Sequence, residues 1–237
     1  MIKLIELSKR FPTVQVLDRF SLELSGRGII VFMGPSGSGK TTLFLLISGL
    51  LPPDGGSVEA PERCSFVFQE DRLLPWLSVQ ENIEIVLDRQ QQQSGVAQRL
   101  LVELGLGGTE NQSIQELSGG MRRRVAIGRA LAYDAPLLLM DEPFKGLDAV
   151  TKKQVMDIIT RQAQERLILL NTHDPLEALY LADELYLLNG PPLKVAEHIV
   201  IPEAHSACRM DPAFWARYQG VLDILGDNLE QSGSKGQ

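Results

Sequence analysis

The sequence predicts an α/β fold in which helices cover a mainly parallel β-sheet. An apolar run at 29–33 is followed by a glycine loop and a second apolar run at 43–47, in the order strand, loop, helix. From 137 to 188, strand-sized apolar runs alternate with helical patterns, which is typical of a parallel sheet between helices. An antiparallel β subdomain and an α-helical subdomain complete the predicted architecture.

The start of the chain predicts two antiparallel strands, which form the β subdomain, because apolar and polar residues alternate there. The apolar members are Ile2, Leu4 and Leu7 in the first segment and Val16, Phe20, Leu22 and Leu24 in the second. A buried strand over 29–33 follows, and the helix after the glycine loop ends near Gly49. The Pro-Pro-Asp-Gly-Gly segment at 52–56 predicts a turn.

The region from about 71 to 131 has a helical character and is assigned to the α-helical subdomain. It follows a strand at 66–68, and its first helix begins with a capping box, Ser78-Val79-Gln80-Glu81. The glutamine-rich segment 90–95 is interpreted as an exposed linker, and the helix after it ends at Gly105.

The remainder of the chain alternates between strands and helices. Helices are predicted after Thr151 and from Pro175, and the strands are at 137–140, 167–170 and 185–188. We assign 1–205 to one domain that contains both subdomains. Residues 206–237 are expected to form a short helical extension with a frayed polar tail.

Composition limits the classes of function. The chain has 237 residues, a formal net charge of -7 and a pI near 5.1, so its surface repels phosphate backbones and no nucleic-acid partner is expected. No apolar stretch is long enough to cross a bilayer. Two cysteines and a start without a secretion leader indicate a reduced, cytosolic protein.

The glycine loop matches the phosphate-binding pattern G-x-x-x-x-G-K-[ST]. Such a loop wraps a phosphate chain with backbone N–H groups at a helix N-terminus, where the helix dipole favours anions. Lys40 would reach the β- and γ-phosphates, and the Thr41 hydroxyl would bind Mg²⁺. The alternative is a Gly/Ser turn that happens to hold a lysine. The loop consists of Gly34, Pro35, Ser36, Gly37, Ser38, Gly39, Lys40, Thr41 and Thr42.

An acidic pair, Asp141-Glu142, ends the apolar strand that begins at Leu137. Asp141 is a candidate Mg²⁺ ligand, directly or through water. Glu142 is the candidate general base for water that attacks the γ-phosphate. An acidic pair that only caps a turn or helix is the alternative, and it is disfavoured because the phosphate loop occurs in the same chain.

Ser118-Gly119-Gly120 opens a helix that continues to Leu131. Ser118 is expected to cap this helix, and the glycines leave backbone N–H groups uncovered at its positive end. By itself this is an ordinary helix cap. The arginines of the helix are expected to pair with acids or extend along its surface; they are Arg122, Arg123, Arg124 and Arg129.

Six motifs in this order resemble those of the ATP-binding subunit of an ABC transporter. They are the phosphate loop Gly34–Thr42, Gln69 in the Q-loop, the signature Leu117–Met121, the Asp141-Glu142 strand, the D-loop Gly146-Leu147-Asp148 and the switch segment Thr172-His173-Asp174. The resemblance covers nearly the whole chain. It implies the ABC ATPase variant of the P-loop NTPase fold, with ATP and Mg²⁺ as ligands.

The resemblance also implies a head-to-tail dimer in which each ATP lies between the phosphate loop of one copy and Ser118, Gly119 and Gly120 of the other. Asp148 would communicate across the dimer. Gln69 would contact Mg²⁺ and the attacking water, and His173 would approach the γ-phosphate. Phe11 would stack on adenine beside Val16, although an aromatic residue before Pro12 can also serve packing alone, and the family more often has tyrosine there.

Further segments resemble the importers of nitrate, sulfonates, taurine and related small solutes. They are 69–70 with 73–79, the signature with Met121, 139–144, and the tail segments 211–214 and 221–225. The sequence departs from this subgroup at Lys145-Gly146, where Gly-Ala is usual, and at Arg123, where Gln is usual.

The resemblance implies an ATPase that powers import through separate membrane subunits, on the cytoplasmic face of a bacterial-type inner membrane. The membrane subunits would dock near Gln69–Val79, where Trp76 is either part of the contact or a core residue. A solute-binding protein outside the cell would be an indirect partner. Two alternatives are a DNA-repair-like ATPase, which needs a coiled coil that this sequence lacks, and an ATP-dependent regulatory switch.

Overall fold

The computed structural model describes residues 1–201, 215–222 and 224, which form two compact units. Unit 1 contains Met1–Glu62 and the described residues from Leu167 onwards, and unit 2 contains Arg63–Arg166. Residues 215–222 are helical. The predicted boundary at 205/206 and the predicted frayed end lie outside the described residues, so this division of the chain stays a prediction.

The strands are β1 Ile2–Phe11, β2 Val14–Leu24, β3 Gly28–Met33, β4 Gly55–Glu59, β5 Cys64–Val67, β6 Leu137–Asp141, β7 Leu167–Asn171, β8 Glu184–Asn189 and β9 Lys194–Val200. The helices are α1 Lys40–Ile47, α2 Val79–Glu84, α3 Arg89–Gln93, α4 Val96–Glu103, α5 Gly119–Ala132, α6 Ala149–Gln162 and α7 Pro175–Leu181, with a 3₁₀ turn at Ile114–Glu116. Within the described part of the chain, no helix is both long and apolar enough to cross a membrane.

Unit 1 begins with an antiparallel sheet in the order β2-β1-β4. The alternating apolar residues of β1 and β2 explain the pairing, because they give the sheet one buried face: Ile2, Leu4, Leu7 and Leu24 are all buried. The strand β4 was not predicted, since its two glycines at 55 and 56 indicate a turn in the sequence. Gly56 instead lies against the backbone of β1, where a side chain would collide with the Ile5 carbonyl.

Unit 1 also contains parallel strands in the order β7-β3-β8, with β9 antiparallel at the outer side of β8. The runs 29–33 and 167–170 are buried on both faces, which is typical of a parallel sheet covered by helices. The predicted parallel core is therefore confirmed. The strand β9 was missed because nearly all of its side chains are exposed and its sequence lacks an apolar face.

Unit 2 contains the parallel pair β5-β6 and the predicted helical region. The helix α5 packs closely on its neighbours, because a Cβ at Gly128 would come within 2.9 Å of Leu104 and 3.1 Å of Ile83. The capping box predicted at Ser78 and Glu81 is present at the start of α2.

The linker predicted at 90–95 is wrong in part, because Arg89–Gln93 form the short helix α3. The Asp88 side chain accepts a hydrogen bond from the Gln91 backbone, and the Gln91 side chain accepts one from the Asp88 backbone. This reciprocal cap stabilises a turn that the glutamine composition does not indicate. The expected exposure is confirmed, since no residue of α3 is buried.

Candidate functional site

The phosphate loop lies between β3 and α1 in unit 1, as predicted. It begins at the carboxyl end of β3, and α1 has neither a side-chain cap nor an acidic residue in its first turn. The N–H groups of that turn and the positive end of the helix dipole are therefore available to an anion. The loop fits the phosphates of a nucleotide.

The Lys40 side chain is buried against the loop itself. Its Nζ donates hydrogen bonds to the carbonyl oxygens of Gly34 and Pro35, each at 2.8 Å, and to Ser38 Oγ at 3.3 Å. Ser38 is fully buried. These contacts fix the ammonium group inside the curve of the loop, where it can attract a phosphate oxygen.

Two glycines of the loop have no room for a side chain. Gly39 has φ +109°, and a Cβ there would lie 2.6 Å from Val16 Cγ1. A Cβ at Gly34 would collide with the carbonyl oxygen of Leu188. The loop conformation thus depends on glycine at both positions.

His173 lies at the same sheet edge as the phosphate loop. β3 and β7 are parallel with Phe32 opposite Asn171, and the Thr172 N–H donates to the Phe32 carbonyl at 3.2 Å. The buried Thr172 hydroxyl bonds to Glu177, and it accepts a hydrogen bond from the Asp174 N–H at 3.1 Å. Asp174 in turn caps α7. His173 itself is exposed, on a segment whose neighbours are fixed.

In unit 2, Gln69 and the acidic pair lie at the carboxyl ends of neighbouring parallel strands. Val67 is paired with Met140, so Asp141, the last residue of β6, and Gln69, two residues beyond β5, both lie at the carboxyl ends of these strands. Such edges are where open α/β sheets bind ligands. Asp141 is buried, Glu142 is half-buried and Gln69 is exposed.

Glu142 has a left-handed backbone conformation, with φ 46°. Residues other than glycine adopt this region at a cost of about 1–3 kcal/mol, and they do so when surrounding contacts fix the backbone. This conformation turns the chain sharply at the candidate general base.

The signature segment lies at the start of α5, where Ser118 and Gly119 are exposed and Leu117 is buried. Ser118 is the N-cap, as predicted, and its Oγ accepts a hydrogen bond from the Met121 N–H at 3.2 Å. A Cβ at Gly120 would lie 3.2 Å from the Gly146 carbonyl, so the signature and the D-loop are in close contact within unit 2.

Asp148 caps α6 and is exposed. Its carboxylate accepts hydrogen bonds from the N–H groups of Val150 and Thr151 and from the Thr151 hydroxyl. The hydrogen bond from the Thr151 side chain is the main cause of the lowered pKa of Asp148. The carboxylate is thereby fixed in its charged form near neutral pH.

The two predicted adenine contacts differ in their surroundings. Val16 is buried against Gly39 of the phosphate loop, whereas Phe11 at the end of β1 is 38% exposed. An exposed aromatic ring is available for stacking on a base. Stacking of Phe11 on adenine stays a prediction.

From the sequence, Arg123 is an unusual residue at its position that is expected only to pair with acids or to extend along the helix surface. The pairing is confirmed by an ion pair with Asp71 at 3.3 Å, but the side chain does not lie at the surface. Arg123 is 3% exposed, and its guanidinium contacts the segments that contain Gln69 and Glu142. The only signal in the sequence was the departure itself, because an arginine on a helix that follows an exposed cap is normally at the surface.

Oxygen donors of the type that Mg²⁺ prefers are present among the predicted ligands: the Thr41 hydroxyl in unit 1, and the Gln69 amide and the Asp141 carboxylate in unit 2. Mg²⁺ is commonly held by one or two protein groups together with phosphate oxygens. Each of these groups is therefore of a type that Mg²⁺ accepts, and their assignment as ligands stays a prediction.

The parallel strands, the glycine loop before α1 and the acidic strand end define a nucleotide-binding protein of the P-loop class. Comparison with known proteins agrees. The profile of a family described as ABC transporter matches residues 17–145. The taurine import ATP-binding protein TauB of Escherichia coli O157:H7 is 38% identical, over 97% of this chain and 99% of that protein. The TauB protein of Yersinia pestis bv. Antiqua is 39% identical over 91% of this chain and 92% of that protein.

Solved structures with the same fold include dimeric forms of the ATP-binding cassette MJ0796. Its post-hydrolysis state bound to ADP and Pi has a TM-score of 0.75 and 27% identity, over 84% of this chain and 98% of that one. A second dimeric structure of MJ0796, a bacterial ABC transporter cassette, has a TM-score of 0.76 and 26% identity, with the same coverage.

The chain belongs to the ABC transporter family. It is an ATP-binding and ATP-hydrolysing subunit of a transporter, which confirms the predicted fold and the predicted transport ATPase. The DNA-repair-like and regulatory alternatives are not favoured.

Proposed function

We propose that the chain powers the import of a small taurine-like solute through separate membrane subunits. The main support is its similarity, over 97% of its length, to a protein named as the ATP-binding subunit for taurine import. The wider group of candidate solutes, inferred from sequence motifs, includes sulfonates other than taurine, and nitrate.

In the proposed reaction, Glu142 orients and deprotonates the water that attacks the γ-phosphate, and Gln69 contacts the same water. Lys40 and the backbone N–H groups of the phosphate loop stabilise the negative charge that develops on the phosphate oxygens. His173 contacts the γ-phosphate. Mg²⁺ supplies further neutralisation of phosphate charge when bound, with Thr41, Gln69 and Asp141 as its proposed ligands.

We further propose that two copies assemble head to tail, so that Ser118, Gly119 and Gly120 of one copy complete the ATP site of the other. The exposure of Ser118 and Gly119 in the single chain supports this arrangement, because the start of a helix has N–H groups that lack a partner within the helix. The MJ0796 structures of similar fold are described as dimeric. Asp148, exposed beside the signature, is the proposed contact between the two sites.

The proposed docking site for the membrane subunits is the segment Gln69–Val79. Trp76 within it is 75% exposed, which favours a role in a contact over a role in the core. The buried Asn82 side chain accepts a hydrogen bond from the Leu74 N–H and donates to the carbonyls of Leu74, Leu77 and Ser78. The exposed tryptophan is therefore presented on a fixed backbone.

The subunit would bind peripherally to the cytoplasmic face of the inner membrane, because its partners span that membrane and ATP is cytoplasmic. A solute-binding protein on the opposite face would act on it only through the membrane subunits.

The first test is the rate of ATP hydrolysis by the purified chain as a function of protein concentration, with Glu142→Gln as the comparison. Specific activity should rise with concentration if two copies form each site. Glu142→Gln should bind ATP, lose nearly all turnover and elute as a dimer in size-exclusion chromatography when ATP is present. Wild-type turnover in Glu142→Gln would remove Glu142 from its proposed role.

The solute is tested in vesicles that contain the chain assembled with its membrane subunits and the binding protein. ATP hydrolysis in this system should be stimulated by taurine and not by nitrate. Stimulation by nitrate alone would reassign the solute while leaving the ATPase unaffected.

A further inference from the structure

Arg123 is a buried cation in the second turn of α5, two residues after the signature. Its guanidinium bonds mainly to backbone carbonyls. Nη2 donates to the carbonyl oxygens of Asp141 at 3.0 Å and Glu142 at 2.6 Å, and Nε donates to that of Pro143 at 2.9 Å. Three successive carbonyls around the candidate general base are thus held by one side chain.

The same guanidinium also holds the segment after β5. Nη1 donates to the carbonyl oxygen of Phe68 at 2.5 Å and to that of Gln69 at 3.3 Å, and it forms an ion pair with Asp71 at 3.3 Å. The backbones of Gln69 and Glu142 therefore share a single hydrogen-bond donor group.

Acidic residues near Arg123 help to keep its buried guanidinium charged. Burial lowers the pKa of its guanidinium, whereas attraction to Asp71, Asp141 and Glu142 raises it, and an arginine remains protonated at neutral pH. Hydrogen bonds from a charged donor are stronger than those from a neutral one, and the interior strengthens them further.

The backbone of Glu142 gives these contacts a specific consequence. Its left-handed conformation, with φ 46°, is one that a glutamate adopts only when neighbouring bonds fix it. Three of the five carbonyls that Arg123 binds belong to Glu142 and to the residues on either side of it. Loss of these bonds would allow the segment to relax and would displace the carboxylate.

We propose that Arg123 is a positioning residue for ATP hydrolysis, which fixes Gln69 and Glu142 relative to each other and to the signature helix. This inference rests on the catalytic roles proposed above for Gln69 and Glu142. Arg123 touches neither ATP nor water in this scheme; it acts through the two residues whose backbones it holds.

Glutamine is usual at this position in the subgroup, but in this chain five backbone carbonyls and the Asp71 carboxylate converge on the guanidinium. Neither glutamine nor lysine can make all of these bonds. Arginine presents five N–H donors in a planar fork. Glutamine has only two N–H donors and no charge, and lysine has its charge and its donors on one compact ammonium group. Arg123→Gln and Arg123→Lys should therefore each lower kcat by about 10- to 100-fold, as expected for a misplaced catalytic group. The KM for ATP should change by less than about threefold, because the phosphate loop is not altered.

Arg166→Gln is the matched control. Arg166 is also buried in unit 2, and its guanidinium donates to the carbonyls of Leu131 and Tyr133 and to the Gln162 side chain. It bonds to no residue assigned to catalysis. Arg166→Gln should lower the melting temperature to a similar extent as Arg123→Gln while leaving kcat close to the wild-type value.

Hydrogen exchange provides a measurement that does not depend on activity. In Arg123→Gln, amide exchange should accelerate at 68–72 and at 141–145, whereas Arg166→Gln should leave both segments unchanged. Wild-type exchange in these segments, or wild-type kcat in folded Arg123→Gln, would overturn the proposal. An equal loss of kcat in Arg166→Gln would also overturn it, because the effect would then be a general loss of stability.

The comparison with Glu142→Gln separates this inference from the proposed function. If Glu142→Gln is inactive and Arg123→Gln is fully active, the catalytic assignment stands and the positioning role fails. If Glu142→Gln retains wild-type turnover, the catalytic assignment itself fails, and the positioning role fails with it.

Discussion

Val16 of β2 packs directly on Gly39 of the phosphate loop. Its Cγ1 would lie 2.6 Å from a Cβ at position 39, and the adjacent Leu193 would lie 3.7 Å from it. The antiparallel sheet of unit 1 thus supports the last residue before α1. Glycine is therefore required at position 39 for two reasons: its backbone angle, which other residues rarely adopt, and the lack of space beside Val16.

Gly39→Ala is expected to abolish ATP binding. The alanine would need the φ of +109° that L-residues rarely adopt, and its methyl group would collide with Val16. The loop would have to move, and its N–H groups would no longer converge on the phosphates. Binding of a fluorescent ATP analogue measures this directly, and an affinity within about threefold of wild type would contradict the geometry described here.

Gly37→Ala tests the effect of backbone strain in the loop without a collision between side chains. Gly37 has φ +80°, yet a Cβ there would meet no atom of the described residues within 4 Å. The substitution should cost about 1 kcal/mol of backbone strain and weaken ATP binding less than Gly39→Ala does. Equal losses in the two variants would show that space beside Val16 is not the limiting factor.

His173→Ala should lower kcat for ATP hydrolysis by at least about tenfold, because the imidazole is proposed to contact the γ-phosphate during the reaction. ATP affinity should change little, because the phosphate loop provides most of the binding. Steady-state kinetics together with equilibrium binding distinguish the two effects.

His198→Ala is the matched control for His173→Ala. His198 is on β9, stacks on Tyr186 with ring centroids 4.2 Å apart and pairs with Glu184 at 2.7 Å. Its removal should leave kcat unchanged. If both histidine variants lose the same activity, the role of His173 at the γ-phosphate is not supported.

Trp76→Ala should weaken assembly with the membrane subunits by about 30-fold, which is the usual loss when a central aromatic residue is removed from an interface. The side chain is 75% exposed, so the free energy of unfolding of the isolated chain should change by less than about 0.5 kcal/mol. Co-purification with the membrane subunits measures the first quantity and urea unfolding the second.

Trp215→Ala tests whether any exposed tryptophan has this effect. Trp215 is 45% exposed in the helix at 215–222 and contacts Tyr218 edge to face. Assembly should be retained in this variant. Loss of assembly in Trp215→Ala and retention in Trp76→Ala would move the docking surface away from Gln69–Val79.

The sequence was sufficient for the fold class and for the family, because the phosphate loop, the signature and the acidic strand end are local patterns with fixed spacing. It was also sufficient for the caps at Ser78 and Ser118, which depend only on nearby residues. Among the elements it missed, β4 pairs with β1, which lies about 50 residues earlier in the chain. The strand β9 pairs with β8 through backbone groups, and its exposed side chains carry no periodic signal.

The burial of Arg123 in the site could not be predicted from the sequence either. Its position on α5 follows from the sequence, but its burial depends on carbonyl groups from segments about 20 and 55 residues away. Backbone carbonyls are present at every residue, so no side-chain pattern identifies the ones that remain available. Only the folded chain brings these carbonyls to one guanidinium.

The ion pair between Lys9 and Asp54 gives a prediction for acid stability. Lys9 Nζ donates to Asp54 Oδ1 at 2.8 Å, and the Arg10 N–H donates to Oδ2 at 2.7 Å. The hydrogen bond from Lys9 is the main cause of the lowered pKa of Asp54 in the folded protein.

The lowered pKa of Asp54 determines how its contribution to stability changes with pH. Because the folded pKa of Asp54 is below that of an unfolded chain, about 3.9, the stabilisation is complete above that value and is lost as the pH falls through the folded pKa. Asp54→Asn should therefore lower the free energy of unfolding at pH 6 to 8. The difference from wild type should shrink below about pH 4.

Urea unfolding of wild type and Asp54→Asn between pH 2 and 8 tests this expectation, and Lys9→Met supplies the partner variant. In the Lys9→Met background, Asp54→Asn should have a smaller effect at neutral pH, because the main hydrogen bond to the carboxylate is already absent. A difference between wild type and Asp54→Asn that stays constant down to pH 2 would mean that the ionised carboxylate does not stabilise the fold. The bonds from Lys9 and Arg10 would then serve only to shape the turn at 52–54.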